Sequence, residues 1–156
     1  MEVAHVFISY NHRDKDVATP LAAQLRLVGV NVWLDDWEIK PGDSVFGKVN
    51  EALELADIVV LLWSENAAGS RWVDSEMVAA IDRRHFDGTV RIIPVRLDDT
   101  KPPPLLRQLR WLELEAGRVN VIVQKIAGID SNEDLIKAIQ QTIEEAGFDF
   151  QYFHGY

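Results

Sequence analysis

Apolar runs of strand length alternate along the chain with segments of helical period, and polar, glycine-bearing loops separate them. The most apolar run is Ile58-Val59-Val60-Leu61-Leu62-Trp63. A strand that is apolar at every position has to be covered on both faces, as parallel sheets flanked by helices require. His5 to Tyr10 predicts a first strand, Val30 to Leu34 a second, Val90 to Val95 a fourth and Arg110 to Leu114 a short fifth. Pro94 inside the fourth predicts a strand end or an edge, because proline donates no ladder hydrogen bond.

The intervening segments carry helical spacing. Val17, Leu21, Leu25 and Val28 share one face of a first helix, which Gly29 stops. Its start is ambiguous: either Asp14 caps it with Pro20 near the first turn, or Thr19 caps it with Pro20 as the first helical residue. Asp43 is a good N-cap for a helix over Ser44 to Ala56, with Val45, Val49, Leu53 and Ala56 on its apolar side. After a polar loop from Ser64 to Gly69, a helix starts at Ser70, with Val73, Met77, Ala80 and Ile81 as its core stripe. Trp72, Glu76 and Arg83 align on the shoulder of that stripe. Val119, Ile122, Val123 and Ile126 have helical spacing but could equally make a strand; a helix is the expectation. Ser131 with Asp134 forms a capping box opening a helix through Leu135, Ile139 and Ile143, ended by Gly147.

Five strands alternating with helices predict an α/β fold, a three-layer sandwich around a five-stranded parallel sheet. The expected domain covers residues 1–147, and residues 148–156 form an aromatic tail or the start of a linker. Such sheets bind ligands beyond the carboxyl ends of their strands. The loop after the third strand and the helix following it lie there. By helix chemistry alone, Glu76 is an acid placed where the helix dipole favours it. An indole one turn earlier on the same face also suits one wall of a pocket. Trp33, Trp63 and Trp111, on strands, are expected in the core.

With 156 residues the chain fits one domain, and its net charge of −9 argues against contact with nucleic acid or an anionic membrane. No run approaches the ~18 apolar residues that span a bilayer, and no signal peptide opens the chain. The absence of cysteine excludes disulfides and thiolate chemistry and suits a cytoplasmic location. His5, His12, His85 and His154 show no metal-ligand spacing, so no metal is expected. The turn after the first strand, Ser9-Tyr10-Asn11-His12, lacks the glycines of a dinucleotide fingerprint. Phosphate-cradling loops, nucleophile elbows and paired acids after the first strand are likewise absent from the sequence.

Phe7-Ile8-Ser9-Tyr10, the loop ending Lys40-Pro41-Gly42-Asp43, the strand Asp57 to Leu62 with Ser64, and Trp72 to Glu76 together resemble a TIR (Toll/interleukin-1 receptor) domain of bacterial type. The likeness runs from about His5 to Leu114 and extends to the last helix. It implies the flavodoxin-like TIR fold and two lines of function. Many bacterial and plant members cleave NAD between nicotinamide and ribose, giving nicotinamide with ADP-ribose or a cyclic isomer, in defence or signalling. Others are non-catalytic TIR–TIR interaction scaffolds. A nucleoside ribosyltransferase-like enzyme is a third reading.

The resemblance puts the catalytic carboxylate at Glu76 and a neighbouring indole at Trp72. Tyr10, Asn11, His12, Trp37, Lys40 and Arg71 are the further candidates for contact with NAD, which is a substrate; no cofactor is implied. Arg13 joins His12, Lys40 and Arg71 as a cation on the loops that would meet phosphate. Self-association is assigned to the loop after the second strand, with Asp36, Trp37, Glu38, Ile39, Lys40, Pro41 and Gly42. Some members carry an arginine pair after the first strand's tyrosine; Asn11 and His12 stand there in this chain.

Overall fold

The computed structural model describes residues 5–36, 54–68, 87–88 and 90–147. Five parallel strands form one sheet in the order β2-β1-β3-β4-β5. They are β1 (His5–Tyr10), β2 (Asn31–Asp36), β3 (Ile58–Trp63), β4 (Arg91–Arg96) and β5 (Leu112–Glu113). The described helices are α1 (Lys15–Leu27), the single turn α2 (Glu65–Ala68), α3 (Val119–Ala127) and α4 (Asn132–Glu145). Residues 54–55 are helical as well, at the end of the helix expected over 44–56. The rest of that helix, the loop 37–42 and the helix expected from Ser70 lie outside the described residues.

Alternation of side chains across the sheet divides the core in two. Val6, Ile8 and Tyr10 of β1 join Val60 and Leu62 of β3 and Ile93 and Val95 of β4 on one face, which α1 and α3 cover with Leu21, Leu25, Ile122 and Ile126. Phe7, Val59, Leu61, Trp63 and Ile92 point to the other face, where Ala56, Ala67, Leu106 and Leu109 pack. β3 lies between β1 and β4, which explains its lack of polar positions: five of its six residues are buried. Burial of each such side chain contributes about 1.5–3 kcal/mol.

Several expectations are corrected by the pairing. β2 runs on to Asp36, because Asp35 and Asp36 continue the register opposite Ser9 and Tyr10; both had been expected in the loop. Trp33 is 40% exposed rather than in the core, since β2 is an edge strand; its indole stacks on His5 at 5.5 Å. Trp63 is buried as expected and donates from Nε1 to the Lys101 carbonyl, and Trp111 is partly buried, donating to the Leu106 carbonyl. The expected fifth strand shortens to two paired residues, Leu112 and Glu113.

Pro94 sits inside β4, a strand with neighbours on both sides. The amides of Arg91 and Leu97 donate to Asp57 and Trp63 on the β3 side. Alternation then turns the Pro94 nitrogen toward β5, which joins the sheet only from Val95 onward. Proline occupies a local edge of an interior strand, where no donor is missed.

Helix α1 begins after a 3-10 turn over His12–Asp14, so Pro20 falls inside it and removes the bond its amide would have made to Asp16. Helix α3 confirms the helical reading of Val119 to Ile126. Ser131 caps α4 by accepting from the Asp134 amide, and the chain leaves this helix through Gly147 at φ 86°. None of the α4 side chains is fully buried, and Ile136 is 55% exposed.

Candidate functional site

In this strand order β1 and β3 are neighbours whose connections leave to opposite sides, which makes their carboxyl ends the topological switch point. Two loops meet there: the turn from Asn11 to Asp14, and the junction from Ser64 into α2. The turn is built locally. Asn11 caps it, its Oδ1 accepting from the Arg13 amide at 3.0 Å, and His12 and Arg13 are exposed.

Asp14 directly precedes α1, yet its side chain makes no capping bond there. Instead the carboxylate crosses to the other loop. It accepts from Ser64 Oγ at 2.5 Å and from Asn66 Nδ2 at 2.9 Å. Asp14 is 6% exposed and Ser64 2%. Ser64 Oγ in turn accepts from the Ala67 amide at 3.3 Å, which helps close the single turn α2 where a plain loop was expected. Buried polar groups persist when they find partners of this kind.

A second aspartate holds the same junction from the β4 side. Asp98 accepts from the amides of Glu65 and Thr100, each at 2.9 Å. Burial alone would raise its pKa. Hydrogen bonds from the Thr100 side chain and from the Glu65 and Thr100 amides, with the nearby Arg96 charge, outweigh that and hold Asp98 below the usual aspartate value.

Of the residues singled out in the sequence, Asn11 and His12 lie on this edge and close to the Asp14–Ser64 contact along the chain. Tyr10 is buried in the core face covered by α1, with 4% exposure. Asp36 ends β2 opposite Tyr10. Glu76, Trp72, Arg71, Trp37, Glu38, Ile39, Lys40, Pro41 and Gly42 lie outside the described residues. Ser9, on the opposite face of β1 from Tyr10, is 1% exposed, and its hydroxyl has no hydrogen-bond partner among the described residues.

Two grooves of about 240 and 330 Å³ open farther along the sheet, at β4 and β5. Asp98, Asp99, Glu113 and Glu115 line the first, with Arg96 as its cation. A dianionic pyrophosphate would meet net negative charge there, and in the second groove Glu113 and Glu115 offset Arg118 and Lys125; the β1/β3 edge, at the switch point, is the better candidate. Sequence reading missed Asp14, Ser64, Asn66 and Asp98 as site-building residues. Asp14 had shown only as a possible cap, and a partner fifty positions away leaves no local pattern.

An open parallel sheet in the order 2-1-3-4-5, with polar loops clasped over its switch point, defines a flavodoxin-like α/β protein whose candidate site lies at the carboxyl edge. Residues 6–120 match the family model of the TIR domain, and the chain belongs to that family. Among curated relatives, the NAD(+) hydrolase TcpC of Escherichia coli O6:H1 is 30% identical over 90 residues, covering 57% of this chain and 29% of that protein. The 2' cyclic ADP-D-ribose synthase AbTIR of Acinetobacter baumannii is 32% identical over 91 residues, 58% of this chain and 34% of that protein. The chain thus spans about a third of the length of these relatives. The TIR domains of the RPS4 and RRS1 heterodimer share the fold with a TM-score of 0.60 at 19% identity, covering 80% of this chain and 96% of theirs.

Proposed function

We propose that the chain cleaves the bond between nicotinamide and ribose in NAD, releasing nicotinamide with ADP-ribose or a cyclic isomer. The observation that carries this reading is the clasp of the Asn11–Asp14 turn onto Ser64 and Asn66 at the β1/β3 switch point. The segment bearing Trp72 and Glu76 follows in sequence from that junction and falls within residues 6–120 that match the TIR family model, and relatives named for NAD hydrolysis and for cyclic ADP-ribose synthesis are similar to the chain over about 90 residues.

The chemistry is compatible with a spare site. Nicotinamide in NAD is a cationic leaving group. When the bond between its ring nitrogen and the ribose anomeric carbon breaks, the nitrogen keeps the electron pair and the ring departs neutral. No acid has to protonate it. One carboxylate, assigned to Glu76, stabilises the oxocarbenium-like ribose or holds its hydroxyls, where ordinary glycosidases need two. Capture of the cation by water, with loss of a proton, gives ADP-ribose; capture by a hydroxyl of the same molecule gives a cyclic isomer. The Trp72 indole suits the cationic ring, worth about 1–2 kcal/mol when desolvated. Asn11, His12, Trp37, Lys40 and Arg71 complete the proposed NAD contacts; Tyr10, buried in the core under α1, is not among them.

In this proposal the loop from Asp36 to Gly42 joins copies of the domain, so that turnover per molecule rises with protein concentration. Replacement of Trp37 by alanine then removes the concentration dependence. A nucleotide-depleting defence role in the cytoplasm fits this activity; no helix among the described residues is long and apolar enough to cross a membrane. Chromatography of NAD after incubation with the wild-type chain and with Glu76→Gln tests the reading. Nicotinamide is expected from the first and not the second. Intact NAD in both would leave a TIR–TIR interaction scaffold, and release from free nucleosides instead would mark a ribosyltransferase-like enzyme.

A further inference from the structure

We propose that Asp14 is a positioning residue for this reaction, acting through the junction of β3 and α2 and not on the substrate. The inference rests on the NAD-cleaving reading above. An aspartate immediately before a helix ordinarily turns back to accept from the first-turn amides. Asp14 forgoes that bond and buries its carboxylate against Ser64 and Asn66, fifty and fifty-two residues farther on.

The geometry of the junction gives this choice a consequence. Residues 64 to 66 are gripped from two flanks: by Asp14 on Ser64 Oγ and Asn66 Nδ2, and by Asp98 on the Glu65 amide. The first of these grips is buried and joins two side chains to one carboxylate, so it constrains direction as well as distance. The chain leaves this anchor at Ala68, and Trp72 and Glu76 follow four and eight residues later in the sequence. On the other flank Asp14 lies three residues after Asn11 and two after His12. One side chain therefore sets the spacing between the loop assigned to NAD contact and the start of the segment assigned to the catalytic carboxylate. Misplacement of a reacting group by about 1 Å can lower a rate about 100-fold.

The test measures nicotinamide release against NAD concentration for the wild-type chain, Asp14→Ala, Asp14→Asn and Glu76→Gln, each held well below its own melting temperature. Asp14→Ala is expected to lower kcat tenfold or more while KM changes by less than about threefold, the pattern of a group that orients chemistry without binding ground-state substrate. Asparagine keeps the shape: its oxygen can accept from Asn66 while its amide donates to Ser64 Oγ, whose own proton is free to rotate. Asp14→Asn is accordingly expected to recover to within about threefold of wild-type kcat. A folded Asp14→Ala with kcat within about twofold of wild type would reduce the clasp to a stability device and overturn the proposal, as would an asparagine variant no better than alanine. No release by the wild-type chain would instead overturn the NAD reading, and equal release by wild type and Glu76→Gln would overturn the assignment of the catalytic carboxylate; the positioning role falls with either.

Discussion

Asp14→Ala removes two hydrogen bonds to a buried carboxylate and leaves the Ser64 hydroxyl and an Asn66 amide proton without that partner. Bonds to charged groups contribute about 1.5–3 kcal/mol each, and stranded buried donors add to the loss. Asn66 is only partly buried and can turn to water, so the net cost should be about 3 kcal/mol. Ser64→Ala loses one of those bonds and the contact with the Ala67 amide, for about 2 kcal/mol. The pair shares one bond, so the double variant should cost about 1.5–2 kcal/mol less than the two singles added. Urea denaturation of the four proteins measures this coupling, with Asp16→Ala, an exposed neighbour, as the control within about 0.5 kcal/mol of wild type. For a chain of this size the Asp14→Ala loss corresponds to about 6–12 °C in Tm. Additivity within about 0.5 kcal/mol would refute the clasp.

Other perturbations follow from the same structure. Leu62→Ala, fully buried in the central strand, should cost about 2–5 kcal/mol in urea denaturation. Gly29→Ala should cost about 1–2 kcal/mol, because Gly29 holds φ at +90° and a Cβ there would also meet Thr142 Oγ1 at 3.3 Å. The Asp98 pKa is depressed in the folded state, so its contribution is present above about pH 4 and is lost as pH falls through the folded value. Asp98→Asn should therefore reduce stability at pH 7, by less than about 1 kcal/mol given the exposure of that loop, and the difference should shrink as pH falls through the folded value.

Much of the architecture could be read from the chain because apolar runs carry their own instructions. Ile58 to Trp63 announces a strand covered on both faces, and β3 takes that place. Val119 to Ile126 is helical because its apolar residues recur at the spacing that meets one sheet face. Trp33 shows where such reading ends: an indole on a strand looks like core until the strand order makes β2 an edge. Pro94 looked like an edge signal and is one only on the β5 side, which depends on a register that the residues themselves do not reveal. The clasp is the sharpest case. Asp14 before a helix reads as a cap, and only the fold brings Ser64 and Asn66 to it. Tyr10 stood among residues expected to meet NAD, and its position in the core under α1 reflects strand alternation that carries Val6, Ile8 and Tyr10 to one face.

The most direct measurement is a time course of NAD incubated with concentrated wild-type chain and with Glu76→Gln, resolved by chromatography. The account predicts nicotinamide accumulating in step with ADP-ribose or its cyclic isomer in the first sample and intact NAD in the second. Undiminished NAD in both, or equal loss in both, would contradict it.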